Sequence, residues 1–278
     1  MRLGGPVLEN VNTPDEWVNA LRTLGYSAAY LPVDSGHGED FAKEYAKAAA
    51  KANILIAEVG AWSNPLSPNE EQRKAAVTTC TQQLALADLV GARCCVNIAG
   101  SRGKKWDGAH PDNLTPETFD LIVDTVRNII DTVKPGRTYY TLETMPWMYP
   151  DSPDTYLHLI RAIDRDRFAV HLDPVNLVCS PQRYFSNGDL IRECFEKLGP
   201  HIRSCHGKDV ILREQFLTHI DEVRPGLGKL DYAVFLRELE SLGPDTPLML
   251  EHLRNAEEYA LAAEYVRTVA REVGVAIG

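Results

Sequence analysis

The sequence predicts an α/β fold, a closed (β/α)8 TIM barrel in a single domain over residues 1–278, from three observations. The chain has 278 residues, which is a usual length for one such barrel. Short β-like runs alternate strictly with longer amphipathic helical patterns, which is typical of a parallel sheet. No low-complexity segment or change of composition marks a domain boundary. The alternative is an open doubly wound sheet, whose glycine-rich phosphate turn is matched poorly by GGPVLEN at residues 4–10.

The alternating runs define eight strand–helix units. The predicted strands are Arg2–Gly4, Ala28–Pro32, Leu55–Val59, Cys94–Ile98, Tyr139–Glu143, Ala169–Asp173, Ile202–His206 and Pro247–Glu251. The predicted helices are Thr13–Leu24, Glu39–Ala52, Asn69–Leu89, Pro116–Val133, Pro153–Asp164, Asp189–Leu198, Tyr232–Ser241 and Ala256–Val273. The first helix shows the expected start signals, because Asn12 or Thr13 can cap it and Pro14 occupies its first turn.

Charge and cysteine content restrict the partners and the compartment. The 29 basic and 39 acidic residues give a formal net charge of −10, which argues against binding to nucleic acid or to an anionic membrane surface. The six cysteines include no CxxC pair, so we expect reduced thiols and a cytoplasmic location. No signal peptide or apolar run of about 18 residues is found.

Acidic residues and a histidine end the last four predicted strands. These residues are Glu143, Asp173, His206 and Glu251. Because strand side chains alternate between faces, the apolar residues before them point to the outer helices and the four polar residues point inward. They therefore meet at the carboxyl-terminal rim, where active sites of such barrels lie. Each of these residues, taken alone, could be an ordinary polar residue in a solvated loop at a strand end. Four consecutive strands that end in this way with the same parity favour a common site.

This group of charges predicts a bound cation. Three carboxylates and one histidine at a barrel axis repel each other and lose hydration unless a counter-charge is present. Oxygen-rich ligands with one nitrogen favour one divalent ion, Mn²⁺ first, with Mg²⁺, Co²⁺ or Zn²⁺ as alternatives.

The same strand ends resemble a known family. HLDPVN around Asp173, HGKD from His206, GLGKLDY at residues 226–232 and GAWSNPL at residues 60–66 are similar to the sugar phosphate isomerase/epimerase superfamily, the xylose isomerase-like TIM barrels that include ketose 3-epimerases and inosose isomerases or dehydratases. The resemblance implies a metal held by Glu143, Asp173, His206 and Glu251. In the family's epimerases the two glutamates also act as the acid/base pair.

Substrate-binding candidates follow from position and from the resemblance. Asn176 lies just beyond the predicted ligand Asp173, and it departs from the ketose 3-epimerases, which have a histidine there. Arg224 is near the place of a substrate-binding arginine, with different local spacing. Lys208 follows a predicted ligand closely, although it could simply pair with Asp173 or Asp209. Trp62 could stack on the C–H face of a sugar, or pack its loop.

Further residues have two interpretations each. His171 shares the inward parity of Asp173 one layer deeper and is expected to be a hydrogen-bonded core histidine. Glu58 and Asn97 could contact substrate or lie solvated at the rim. The loop GSRGKKWDG at residues 100–108 and the segment 209–225 are candidate lids, although a solvated loop is the simpler interpretation of the first.

Together these features predict a divalent-metal-dependent isomerase or epimerase of a small sugar, ketose or cyclitol. Proton transfer through an enediolate would use Glu143 and Glu251 as the catalytic pair. The alternative is a metal-dependent lyase, a dehydratase or a C-glycoside-cleaving enzyme acting on an oxidised sugar. A catalytically inactive partner subunit is a third interpretation, and the sequence does not decide whether the chain forms homo-oligomers. An endonuclease-type phosphodiesterase would need more metal ligands on the second to fourth strands, which are missing.

Overall fold

The computed structural model describes residues 1–278, and its parallel strands close into an eight-membered barrel. The barrel strands are β1 (Arg2–Gly4), β2 (Ala28–Tyr30), β3 (Leu55–Gly60), β4 (Cys94–Asn97), β5 (Tyr140–Glu143), β6 (Phe168–Leu172), β7 (Ile202–Gly207) and β10 (Pro247–Leu250). Their order around the barrel is β1-β10-β7-β6-β5-β4-β3-β2. The predicted TIM barrel is confirmed.

Helices connect the strands on the outside of the barrel. They are α1 (Pro14–Thr23), α2 (Glu39–Lys51), α3 (Glu70–Val90), α4 (Pro116–Val133), α5 (Pro153–Ile163), α6 (Pro181–Phe185), α7 (Asn187–Leu198), α8 (Tyr232–Ser241) and α9 (Ala256–Val273). The predicted bounds of α4, α8 and α9 are confirmed. Those of α1, α2, α3, α5 and α7 differ from the structure by one or two residues. None of the helices is both long and apolar enough to cross a lipid bilayer.

Local sequence signals explain where the helices begin. The Thr13 hydroxyl accepts a hydrogen bond from the Glu16 N–H at the start of α1, so Thr13, not Asn12, is the cap. Ser152 and Thr155 form a reciprocal capping box at the start of α5. Each cap satisfies backbone N–H groups that the helix itself leaves free.

Two elements were not predicted. Residues Asp209–Leu212 (β8) and Ile220–Val223 (β9) form an antiparallel hairpin outside the barrel, in the segment expected to be a lid or contact region. The short helix α6 precedes α7 and is capped by Ser180. Both elements are short, so neither carries enough periodic pattern to stand out in the sequence.

One aspartate holds the base of this hairpin. Both carboxylate oxygens of Asp209 accept backbone hydrogen bonds, from Val210 and Leu230 on one oxygen and from Gly226 and Gly228 on the other, at 2.8–3.0 Å. A Cβ at position 228 would collide with the Asp209 carboxylate, so a glycine is required there. The base of the hairpin is therefore tied to the chain that leads into α8.

Candidate metal centre and adjoining cavity

Four side chains converge where β5, β6, β7 and β10 end. Glu143 is the last residue of β5, His206 lies in β7, and Asp173 and Glu251 directly follow β6 and β10. One donor atom from each of the four lies within 4.8 Å of every other. Asp173 and His206 are fully buried, and Glu143 is 5% exposed. The structure therefore brings together all four residues for which the sequence predicted metal binding.

Lys208 extends its ammonium group into this cluster. Its Nζ lies 2.7 Å from Asp173 Oδ2, 2.5 Å from Glu251 Oε1 and 3.6 Å from Glu143 Oε1. Lys208 has the same parity as His206, two residues earlier, so both side chains point inward. The lysine pairs with Asp173, as one interpretation of the sequence predicted, and it also lines the cavity described below.

Charge and burial act differently on the three acids. Burial raises the pKa of Asp173 to about 6, and the Lys208 ammonium does not reverse this shift. Burial also opposes ionisation of Glu143, but Lys208 and His206 hold its pKa below the usual value. For Glu251 the same balance, burial against His206 and Lys208, leaves the pKa well below the usual value. The two glutamates therefore hold their charge more readily than the aspartate.

The bases of the cluster stay charged for the complementary reason. Burial lowers the pKa of Lys208, but the three surrounding carboxylates outweigh burial and raise it well above its usual value. His206 is affected in the same way, because Glu251, Glu58 and Glu143 outweigh the cost of burial.

A second polar layer lies deeper in the barrel, below His206. Glu58 Oε1 is 2.9 Å from His171 Nε2 and also accepts a hydrogen bond from the Ser204 hydroxyl, while Oε2 is 3.3 Å from His206 Nε2. His171 is thus the hydrogen-bonded core histidine that the sequence predicted. Glu58 is 1% exposed, so the expectation of a solvated rim position is wrong. Its carboxylate instead contacts the ring nitrogen of His206 that faces away from the rim.

The same histidine presents its other nitrogen to the acids. His206 Nδ1 lies 2.9 Å from Glu143 Oε1 and 2.8 Å from Glu251 Oε1. Glu58 and the two glutamates therefore contact opposite edges of one imidazole ring. Such a carboxylate–histidine pair is the usual support for a metal-binding histidine.

The donor set fits a divalent cation. Asp173 Oδ2 and Glu251 Oε1 are buried and pair with the Lys208 ammonium at 2.7 and 2.5 Å, but neither accepts a hydrogen bond of normal geometry. Ion pairing alone compensates only part of the cost of burying a carboxylate, and coordination to a cation would supply the rest. Three carboxylates with one imidazole form a set that hard and borderline divalent ions accept.

A cavity of about 530 Å³ opens above the four residues. Among the predicted substrate-binding residues, Trp62, Asn176 and Lys208 line it together with Glu143 and Glu251. Asn176 Nδ2 also donates a hydrogen bond to Glu143 Oε1 at 3.3 Å, so this side chain touches one of the predicted catalytic acids.

Two other candidates lie elsewhere. Arg224 does not line the cavity and pairs with Glu258, whose Oε2 is 3.0 Å from Arg224 Nε. Asn97 is fully buried, and its Oδ1 accepts a hydrogen bond from the Ser63 N–H at 3.2 Å. It supports the loop that carries Trp62 and is not a solvated rim residue.

The basic loop after β4 forms one wall of the cavity. Its residues Lys105, Trp106 and Asp107 line the cavity, and the Asp107 carbonyl accepts a hydrogen bond at 2.8 Å from the indole N–H of Trp147. This contact joins the loops after β4 and β5. The simple interpretation, a loop exposed only to solvent, is therefore wrong.

Several lining residues were not singled out from the sequence. They are Tyr30, Met145, Glu222, His252 and Tyr259. Tyr30 ends β2 on the inner face, and its terminal position was the only available signal. Glu222 comes from the unpredicted hairpin, and Tyr259 from the first turns of α9, where it has the spacing of an ordinary core residue.

Comparisons with known proteins agree with the fold. Residues 18–269 match the family model described as xylose isomerase-like TIM barrel. No curated protein matches the chain by sequence.

Three solved structures illustrate the structural likeness. D-psicose 3-epimerase from Clostridium cellulolyticum H10, solved with D-tagatose, is 14% identical with a TM-score of 0.71, covering 99% of this chain and 100% of that one. The probable 3-DHS dehydratase AsbF from Bacillus anthracis is 15% identical with a TM-score of 0.68, covering 96% and 98%. A xylose isomerase-like TIM barrel protein from Mycobacterium smegmatis, in complex with magnesium, is 17% identical with a TM-score of 0.65, covering 94% and 90%.

Proposed function

Because the chain belongs to the xylose isomerase-like TIM barrel family, we propose that it is a divalent-metal-dependent isomerase or epimerase of a small sugar, ketose or cyclitol. The family and its structural neighbours include sugar epimerases, which are enzymes. The observation that carries the proposal is the arrangement of Glu143 and Glu251. They stand at the ends of β5 and β10, which β6 and β7 separate around the barrel, and both line one cavity.

Glu143, Asp173, His206 and Glu251 would hold the metal ion. Mn²⁺ is our first choice because the set contains three oxygen ligands and one nitrogen ligand, and the magnesium bound by the Mycobacterium smegmatis neighbour supports a divalent ion. A bound cation polarises the carbonyl and the adjacent hydroxyl of a sugar and so stabilises an enediolate.

The chain's own residues then move the proton. One of the two glutamates removes a proton from the carbon next to the carbonyl. The other takes up a proton from the adjoining Lys208 ammonium and returns it to the opposite face of that carbon, which gives epimerisation. Return to the neighbouring carbon gives isomerisation. Asn176 orients Glu143 through its hydrogen bond, Lys208 contacts substrate oxygens from the floor of the cavity, and the Trp62 ring covers a C–H face of the sugar. Arg224 remains a prediction from the family's pattern alone.

A lyase is the second candidate, and Lys208 is the observation that favours it. Its ammonium group is 2% exposed, lines the cavity and stays protonated. After the same proton abstraction, such a group can protonate a departing hydroxyl or other leaving group, which gives an unsaturated product. The dehydratase neighbour supports this alternative. We also propose a cytoplasmic location, because all six cysteines are free and five of them are buried.

Solvent deuterium exchange tests the proposal. We expect the Mn²⁺-loaded protein to exchange one carbon-bound hydrogen of a ketose or inosose, and Glu143→Gln to lose that exchange while it retains its thermal stability. Glu258→Gln, which changes a carboxylate outside the cavity, is the matched control and should exchange normally. Absence of exchange across a broad panel of ketoses and inososes would contradict the proposal. An unsaturated product detected by mass spectrometry would identify the lyase instead.

A further inference from the structure

We propose that the substrate carries an aromatic or similarly flat apolar group, and that a second cavity beside the metal centre binds this group. The inference rests on the proposed function, because it takes the reacting sugar to lie above Glu143 and Glu251. It adds the class of substrate: an oxidised sugar that has a carbonyl group on its ring and carries an apolar substituent, in place of an unsubstituted monosaccharide.

The second cavity, of about 400 Å³, is continuous with the first. Pro146, Trp147, Asn176 and Glu222 line both cavities. The second cavity continues between the β8–β9 hairpin and residues 175–179 after β6. A substituent on a sugar held above the acids can therefore enter it directly past Trp147 and Asn176.

The lining of this second cavity selects an apolar occupant. The hairpin contributes Val210 and Ile220, and the opposite side contributes Val175 and Val178. Six of its ten lining residues are hydrophobic, and a second sugar would find side-chain partners for its hydroxyls only at Asn176, Thr218 and Glu222. An aromatic ring, in contrast, loses little hydration and gains packing on both sides.

Exposed tryptophans around the first cavity, one of which also lines the second, point to the same ligand. Trp62, Trp106 and Trp147 line the first cavity, and their exposed fractions are 44%, 39% and 39%. Large apolar side chains that stay exposed together usually mark a binding surface. Trp147 is held in place by its hydrogen bond to the Asp107 carbonyl, so its ring can contact a ligand without first being ordered.

Matched glycosides provide the test. Binding of phenyl and methyl β-glycosides of glucose, galactose and xylose to the Mn²⁺-loaded protein would be measured by titration calorimetry. Tryptophan fluorescence gives a second readout, since three of the four tryptophans line the first cavity and Trp17 is buried. We expect the phenyl glycoside of at least one sugar to bind about tenfold more tightly than its methyl partner.

Two variants locate the phenyl group. Thr218→Trp fills the second cavity from the exposed hairpin, and Ile220→Asn makes its wall polar; neither residue belongs to the proposed catalytic group. Both should abolish the preference for phenyl and leave methyl glycoside binding and Mn²⁺ affinity unchanged. Leu261→Asn, an exposed apolar position on α9, is the control and should keep the preference.

The inference is overturned if no sugar shows a phenyl preference, including the case in which none of the glycosides binds, or if the preference persists in both cavity variants. Its failure is distinguishable from failure of the proposed function. If ketoses exchange deuterium but no phenyl glycoside binds better than its methyl partner, the inference is wrong and the proposed function stands. If phenyl glycosides bind better through the second cavity but no substrate exchanges deuterium, the proposed function is wrong and the binding site stands.

Discussion

Substitution of Glu58 by glutamine should weaken metal binding although it replaces none of the predicted metal ligands. The Glu58 carboxylate accepts hydrogen bonds from His171 and Ser204 on one oxygen, and its other oxygen faces His206 Nε2 at 3.3 Å. A glutamine that keeps the first two bonds places its NH₂ group against His206 Nε2. In the metal-free native chain His206 is charged and carries a hydrogen on both ring nitrogens. In the variant Nε2 must act as the acceptor, so the ring keeps its hydrogen only on Nδ1, the nitrogen that faces Glu143 and Glu251.

The size of the effect follows from the contact that changes. A hydrogen bond to a charged partner contributes about 1.5–3 kcal/mol, and the variant replaces this one by a contact that favours the wrong tautomer. Loss of a carboxylate that supports a metal-binding histidine typically lowers affinity by about 10–100-fold. We therefore expect the dissociation constant for Mn²⁺ to rise by about that factor in Glu58→Gln.

Titration calorimetry with Mn²⁺ measures the affinity, and ring ¹⁵N chemical shifts of the metal-free protein report whether His206 Nε2 still carries a hydrogen. Ser204→Ala is the matched control, because it removes one bond to Glu58 and leaves the contact with His206, so its affinity should stay close to that of the native chain. Native-like Mn²⁺ affinity together with a hydrogen retained on His206 Nε2 in Glu58→Gln would refute the reasoning.

Three further predictions concern charge and stability. Lys208→Met leaves buried carboxylates without their ammonium partner and should lower the free energy of unfolding in EDTA by about 3–5 kcal/mol. Added Mn²⁺ should restore part of this loss. Equal urea midpoints for the variant and the native chain in EDTA would contradict the prediction. Burial raises the pKa of Tyr26 to about 12 from an ordinary value of 10, so its contribution is complete below pH 10 and is lost between pH 10 and 12, at most about 2.7 kcal/mol. Because this hydroxyl is buried without a partner, Tyr26→Phe should match the native chain in urea unfolding at pH 7 and exceed it at pH 11, and a parallel loss at both pH values would count against the argument. Asp209→Asn turns an NH₂ group either toward the Val210 and Leu230 N–H groups or toward the Gly226 and Gly228 N–H groups, and should cost about 2–3 kcal/mol. Hydrogen exchange should be faster at one of these two pairs of amides, and unchanged exchange at all four would show that the carboxylate does not hold the loop.

The metal centre could be predicted from the sequence because it depends on two local regularities. Each strand ends at a recognisable change from apolar to polar residues, and side chains alternate along a strand. Parity alone therefore placed Glu143 and Asp173 on the inner face, and His171 one layer below.

Glu58 was harder to place, because the register between β2 and β3 shifts at Ala29 and Tyr30. Such an irregularity alters which residues are neighbours across the sheet, and it cannot be predicted from the hydrophobic pattern of either strand. Arg224 shows a second limit. Its partner Glu258 lies on α9, distant in sequence, so the ion pair exists only once the barrel is closed. The hairpin strands were too short for their pattern to be distinguished from a loop.

The way in which Asp209 anchors the hairpin has a consequence for how the enzyme can diversify. The anchored base lies next to Lys208 and the metal centre, whereas the tip presents Phe216 and Leu217 to solvent, 100% and 87% exposed. Changes at the tip therefore need not disturb the acids beneath. Substitutions or insertions between β8 and β9 can alter which molecules reach the cavity while Glu143, Asp173, His206 and Glu251 keep their positions. Selectivity can therefore change without any change in these four residues.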